Sequence, residues 1–223
     1  MTSAFIGRLD SLIASKHLLT HPFYQEWQRG ELSLPALQDY ATQYYQHVVA
    51  FPTYLSALHS CCDDLKARRY ILQNLIDEEA GSPNHQDLWL QFAGAIGLSR
   101  AQVKDATAGI EVSQLIRGFR EICSSGKIAS SLAALYAYES QIPTVSVSKT
   151  EGLIKHYGVA KGPGTAYFDV HAEMDIEHSR VERELLERHL NSEDHEAIAT
   201  NVRRVLDRLW ELLSGVCQRH SIA

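Results

Sequence analysis

Residues 166–189 read AYFDVHAEMDIEHSRVERELLERH. Apolar residues recur along this run at helical spacing, which predicts one long helix from about Ala166 to His189. Within it stands His171-Ala-Glu-Met-Asp175-Ile-Glu-His178. Offsets of four and seven residues fall within ~60° of arc at 3.6 residues per turn. His171, Asp175 and His178 therefore share one face. Two imidazoles and a carboxylate suffice to hold iron or manganese. The plainer alternative is a charged, solvated helix face, because Glu173, Glu177, Arg180 and Glu182 charge the other faces. A helix that offers ligands on one side needs other helices to supply the rest, so the run points to a bundle.

The rest of the chain has the same helical periodicity. Helices are expected from about Ser3 to Leu19 and from Phe23 to Arg29, the second ending at Gly30. Ser33-Leu34-Pro35 starts a long one, which Pro52 kinks and which continues toward Cys62. Another begins near Asp63 and reaches Asp77-Glu78-Glu79, where Gly81-Ser82-Pro83 interrupts it. The next begins near Asn84 and stops at Gly97, and Ser99 caps a short one. Further helices cover Glu111 to Cys123, Lys127 to about Tyr138, Leu153 to Tyr157, and Asp194 to about Gln218, with a bend at Pro143. No alternating strand pattern, repeat or low-complexity linker appears. The fold class is all-α, a bundle of about seven to eight helices. One compact domain over residues 1–223 is expected, and that length buries about 70% of the surface of the unfolded chain.

Composition narrows the function. The formal net charge is −6, which argues against a nucleic-acid footprint, since that needs a basic face. The four cysteines, Cys61, Cys62, Cys123 and Cys217, form no CxxC pair and no zinc spacing. They read as reduced thiols of a cytoplasmic protein. No secretory leader and no apolar run of about 18 residues is present, so no membrane association is expected.

Two further regions offer ligands. Glu78 and His85 stand seven residues apart and would share a face on a regular helix, but Gly81 and Pro83 break that regularity. They could bracket a kink and aim at one point. They could equally be a helix-end carboxylate and a polar first-turn residue. Glu139 closes Leu132-Ala-Ala-Leu-Tyr-Ala-Tyr-Glu139, an almost wholly apolar helix. A carboxylate there costs several kcal/mol unless it is paired or metal-bound. The alternative is a glutamate at the mouth of the helix near Pro143. Together the three regions supply three carboxylates and three histidines, a donor set used by helical bundles that hold two iron or manganese ions.

On longer motifs the chain resembles a known family. These are His21-Pro-Phe-Tyr24-Gln-Glu-Trp27, Gly30-Glu31-Leu32, Tyr44-Tyr45, Ala50-Phe51-Pro52, Cys62-Asp63-Asp64-Leu65, Asp77-Glu78-Glu79, Pro83-Asn84-His85, Tyr136-Ala-Tyr-Glu139-Ser-Gln-Ile-Pro143 and His171 to His178. They resemble the family of the chlamydial protein associating with death domains and its bacterial relatives in 4-aminobenzoate synthesis. That family lies in the haem-oxygenase-like dimetal oxidase superfamily, beside thiaminase-like and pyrroloquinoline-quinone-synthase-like proteins. The resemblance covers most of the chain. It implies a haem-oxygenase-like bundle and six metal ligands at Glu78, His85, Glu139, His171, Asp175 and His178. It implies two transition-metal ions, Fe/Fe or Mn/Fe, with dioxygen and a reductant as co-substrates.

The resemblance also implies that the protein is its own substrate. A tyrosine side chain, matched by Tyr24, becomes the ring of 4-aminobenzoate, and a lysine, matched by Lys149, supplies the amino group. Tyr40 and Tyr167 match two further tyrosines near the site and could relay an oxidation. A buried lysine would have its pKa lowered, which makes the neutral amine available. Without the family, Tyr24 reads as packing in a Phe-Tyr-Trp cluster and Lys149 as a solvated helix residue. A homodimer is expected by the same analogy. Nothing in the sequence supports death-domain binding. The competing readings are a dimetal oxidase acting on an external small molecule, a metal-free thiaminase-like or quinone-cofactor-type relative, and a non-enzymatic binding module.

Overall fold

The computed structural model describes residues 2–190 and 195–222. Eleven α-helices and one 3-10 turn make up the described residues, with no strand among them. The helices are α1 (Thr2–Ser15), α2 (Pro22–Arg29), α3 (Leu34–Cys61), α4 (Leu65–Glu79), α5 (His85–Ala95), α6 (Arg100–Lys104), α7 (Ile110–Cys123), α8 (Ile128–Glu139), α9 (Ile142–His156), α10 (Ala166–His189) and α11 (His195–Arg219). The all-α expectation holds. The helix count agrees roughly with that expectation, since α2 and α6 are short.

Local chemistry sets most boundaries. The Ser33 hydroxyl accepts the Ala36 N–H to open α3, and Asp64 accepts from Lys66 to open α4. Asn84 accepts from Asp87 to open α5, and Ser99 with Gln102 forms a capping box on α6. Gly30 ends α2 with φ 73°, a left-handed conformation that a side chain would strain. Helix α3 runs on through Pro52, which lies buried inside it.

Two expected boundaries move. The helix from Ser3 toward Leu19 stops at Ser15, and Leu18–Thr20 forms the 3-10 turn. There the Leu18 N–H goes to the Gln141 side chain at 2.9 Å and the Leu19 N–H to His17 at 3.2 Å, so neither serves a continuing α-helix. Pro143 does not bend a helix but stands in the first turn of α9, where its missing N–H costs nothing. The expected short helix Leu153 to Tyr157 is the last turn and C-cap of α9. Asp194, expected to start the last helix, lies outside the described residues.

Helix α8 is the centre of the bundle. Every residue from Ala129 to Glu139 is buried. Helices α10 and α11 pack on it, α9 packs on α10, and α3 lies against α4, α5 and α7. Helix α2 packs on α9, which brings Tyr24 toward Lys149. No helix among the described residues is long and apolar enough to cross a membrane.

Candidate metal centre

The inner face of α10 carries His171, Asp175 and His178, all buried, as the spacing requires. They divide between two groups. His171 joins Glu78 and His85, while Asp175 and His178 join Glu139. In each group the three donor atoms lie within 4.8 Å of one another. Glu78 is on the last turn of α4 and His85 is the first residue of α5, so the turn over residues 80–84 folds the two together. Glu139 ends α8.

Distances and orphaned atoms give the first group its character. His85 Nδ1 stands 2.9 Å from Glu78 Oε2, yet it has no aligned hydrogen-bond partner. Nitrogen and oxygen thus converge without a well-placed proton between them, as donors around an ion do. The His171 Nδ1–H donates to the Tyr167 carbonyl at 2.6 Å, which leaves its Nε2 lone pair facing Glu78 Oε1 at 3.9 Å. An imidazole held by a backbone carbonyl through its other nitrogen is the usual setting of a metal-binding histidine.

In the second group, His178 Nδ1 lies 3.4 Å from Asp175 Oδ1 and 3.8 Å from Glu139 Oε2. Its other nitrogen faces Asp77 at 3.5 Å. Glu139 Oε1 accepts from the Asn74 amide at 3.3 Å, and Glu139 Oε2 is buried with no partner. Glu78, Glu139, His171 and Asp175 line one cavity of about 10 Å³, together with His47, Val48, Phe51, Tyr138 and Tyr167. That is about the room one water needs.

Carboxyls crowd together here in the bare protein. Burial, then the Asp175 charge, push the Glu139 carboxyl up to about 8. Burial lowers His178, but hydrogen bonding to Asp175 and the charges of Glu139, Asp175 and Asp77 outweigh it and hold the ring at about 9. Burial lowers His171. Burying carboxyls so close together that Glu139 is pushed toward its protonated form costs several kcal/mol, and divalent ions would remove that cost. Carboxylates with imidazoles are a donor set suited to iron and manganese, so the residues fit a metal pair.

Beside these groups lies an aromatic box. Tyr24, Tyr40 and Lys149 are each at most 3% exposed. Lys149 Nζ donates to Tyr40 Oη at 2.7 Å, and the hydroxyls of Tyr40 and Tyr24 lie 3.1 Å apart. Lys149 Nζ is 5.3 Å from the ring centre of Tyr24 and 5.1 Å from that of Tyr44. Burial alone pulls the amine down to about 7. Tyr167 stacks on His171 at 4.1 Å between ring centres and meets Trp89 at 4.8 Å, and Trp89 in turn lies 5.9 Å from Tyr40. The ten candidate side chains thus form one contiguous buried assembly. The solvated alternative for Lys149 does not hold.

Three features escaped the sequence reading. Tyr44 and Tyr138 share a 2.7 Å hydrogen bond between the box and the cavity. His47 lines the cavity with Nε2 unpartnered. Glu182, assigned above to a solvated face of α10, is 1% exposed. It is four residues after His178 and seven after Asp175, so the helical spacing already placed it on the inner face. Its outer-face assignment is corrected.

Comparison with known proteins agrees with this geometry. A family model described as an iron-containing redox enzyme matches residues 38–210. A 4-aminobenzoate synthase from Chlamydia pneumoniae is 47% identical over 215 residues, covering 96% of this chain and 95% of that protein. One from Nitrosomonas europaea is 39% identical, covering 98% and 93%. Among solved structures, a TenA homologue from Pseudomonas syringae superposes with a TM-score of 0.83 over 98% of this chain and 96% of its own, at 18% identity. At that identity the likeness speaks for the fold alone. The chain is a redox enzyme and belongs to the haem-oxygenase-like family of iron-containing redox enzymes.

Proposed function

We propose that this chain makes 4-aminobenzoate from its own Tyr24, with Lys149 as the source of the amino nitrogen. The observation that carries the reading is the placement of the buried Lys149 amine 5.3 Å from the Tyr24 ring centre. The names of the relatives at 39% and 47% identity support the product. Glu78, His85 and His171 would hold one ion and Glu139, Asp175 and His178 the other, as Fe/Fe or Mn/Fe. When bound, the pair would activate dioxygen and supply oxidising equivalents, with a reductant completing the electron balance.

The chain's own side chains then have defined tasks. Product and Tyr24 share the ring and one further carbon, so the Cα–Cβ bond of Tyr24 is the one that must break. The Cβ must be oxidised to the carboxylate with dioxygen as oxidant. The Lys149 Cε–Nζ bond must break, leaving Cε as an aldehyde, and the phenol carbon must lose its oxygen as water as it gains nitrogen. An amine pulled down to about 7 is substantially neutral near pH 7 and has a lone pair to offer that carbon. The Tyr40 hydroxyl touches both reactants, so it can pass a proton between Tyr24 Oη and Lys149 Nζ. Tyr167, between His171 and Trp89, lies on the aromatic path from the first metal group to the box. Trp27, Phe23 and Phe168 exclude water.

One observation favours a different oxidase, acting on an external small molecule. A surface hollow of about 320 Å³ lies over Asn74, Asp77 and His178. Pockets for such ligands run to about 300–1,000 Å³. The hollow sits on the outer side of the second metal group, away from the box, while the cavity between the groups is about 10 Å³. Free cysteines suit a reducing, cytoplasmic setting. The homodimer and the one-domain reading belong to the same proposal.

Tyr24→Phe discriminates between the two oxidases. The substitution keeps the ring in the Phe23–Trp27 cluster and removes only the hydroxyl. Under air it should abolish rescue of a 4-aminobenzoate auxotroph. Undiminished rescue would remove Tyr24 as the ring donor and favour the external substrate.

A further inference from the structure

We propose that Glu182 is a fourth protein ligand of the second metal subsite, beside Glu139, Asp175 and His178. This rests on the dimetal reading above. Glu182 stands on α10 one turn beyond His178 and two beyond Asp175, so it continues their inner face. It is 1% exposed, and neither of its oxygens has a hydrogen-bond partner. Its carboxyl meets that of Glu139, whose Oε2 is also unpartnered. Two glutamates from packed helices thus meet at the edge of the group formed by Glu139, Asp175 and His178.

The one group that meets this carboxyl is another acid, Glu139, with which it can only share a proton. A buried acid of this kind costs several kcal/mol, and an apolar residue of similar volume would be more stable. A cation among Glu139, Asp175 and His178 supplies the missing partner. The two subsites then become unequal. The first offers one carboxylate and two imidazoles. The second offers three carboxylates and one imidazole, a harder and more negative donor set. Glu182 is therefore a specificity-determining residue for which metal occupies which place, and it raises affinity at the second subsite alone.

The test measures metal content and affinity on the purified full chain, by chelator competition with ferrous iron and, separately, manganous ion. Wild type should hold two ions. Glu182→Gln should hold the first as wild type does and the second about tenfold or more weakly, the range typical of losing one supporting group at a metal site. Glu182→Leu should lose the same affinity and should raise the melting temperature of the metal-free protein, which serves as the comparison if the Gln variant does not fold. A second-site affinity within threefold of wild type in the folded variants overturns the proposal and leaves the dimetal reading standing. Failure of wild type itself to bind two ions overturns both.

Discussion

An ammonium at position 149 would sit among the rings of Tyr24, Tyr40, Tyr44, Trp89 and Phe168 with only the Tyr40 hydroxyl to solvate it. Burial therefore pulls the group to about 7 from an unfolded value near 10.4. Between those two values the unfolded chain binds a proton that the folded chain does not, so this residue's contribution to stability rises with pH. Below about pH 7 both states are protonated and the full cost of the buried charge is present. Lys149→Met removes that cost. It should stabilise the protein by a few kcal/mol at pH 6, with the advantage shrinking steadily toward pH 10. Melting curves at pH 6, 8 and 9.5 check this, and a pH-independent difference would contradict it. The same variant should make no 4-aminobenzoate. Neither Lys149 nor Tyr24 was legible from spacing, because a single lysine and a single tyrosine carry no periodic signal. Only the longer motifs around them pointed to a role. Glu182 is the opposite case: its offsets from Asp175 and His178 were in plain sight, and the surrounding charges masked them.

At the scale of elements, most helix limits could be read directly, because Ser33, Asp64, Asn84 and Ser99 are local caps that act on their own neighbours. The end of α1 was not, since a side chain 123 residues away takes the Leu18 N–H. Nor was the convergence of Glu78 with His85, which depends on the path of a non-helical turn. The juxtaposition of α2 with α9 is likewise a tertiary fact. Gly152 permits it: a Cβ there would lie 2.4 Å from Trp27 Cδ1, and the Trp27 indole N–H donates to the Lys149 carbonyl at 3.3 Å. Trp27 is fully buried and has nowhere to move. Gly152→Ala should therefore part the two helices, because about 1–3 kcal/mol of overpacking outweighs about 1 kcal/mol gained in helix propensity. We expect a lower melting temperature and reduced product. Gly94→Ala on α5, where a Cβ meets nothing within 4 Å, should raise the melting temperature slightly. Equal responses of the two variants would show that the α2–α9 approach is not tight.

For the whole molecule, the arrangement is a bundle whose hydrophobic core encloses the candidate site residues. Helix α8 is buried from Ala129 on and delivers Glu139, α10 delivers three candidate ligands, and α4 and α5 deliver one each, Glu78 and His85. Helices α2, α3 and α9 close the Tyr24, Tyr40 and Lys149 box on the other side of Tyr167 and Trp89. The cavity of about 10 Å³ between the two metal groups has space for a diatomic oxidant and not for an organic substrate. The central claim is that the ring and nitrogen of the product come from the chain itself. Isotope origin tests it most directly. The protein is produced with ring-13C tyrosine and side-chain 15N lysine, purified, loaded with iron or iron plus manganese, and exposed to air and a reductant in unlabelled buffer. Mass spectrometry should find 4-aminobenzoate carrying both labels, together with loss of the side chain from the Tyr24 peptide. Unlabelled 4-aminobenzoate with an intact Tyr24 peptide would contradict the account.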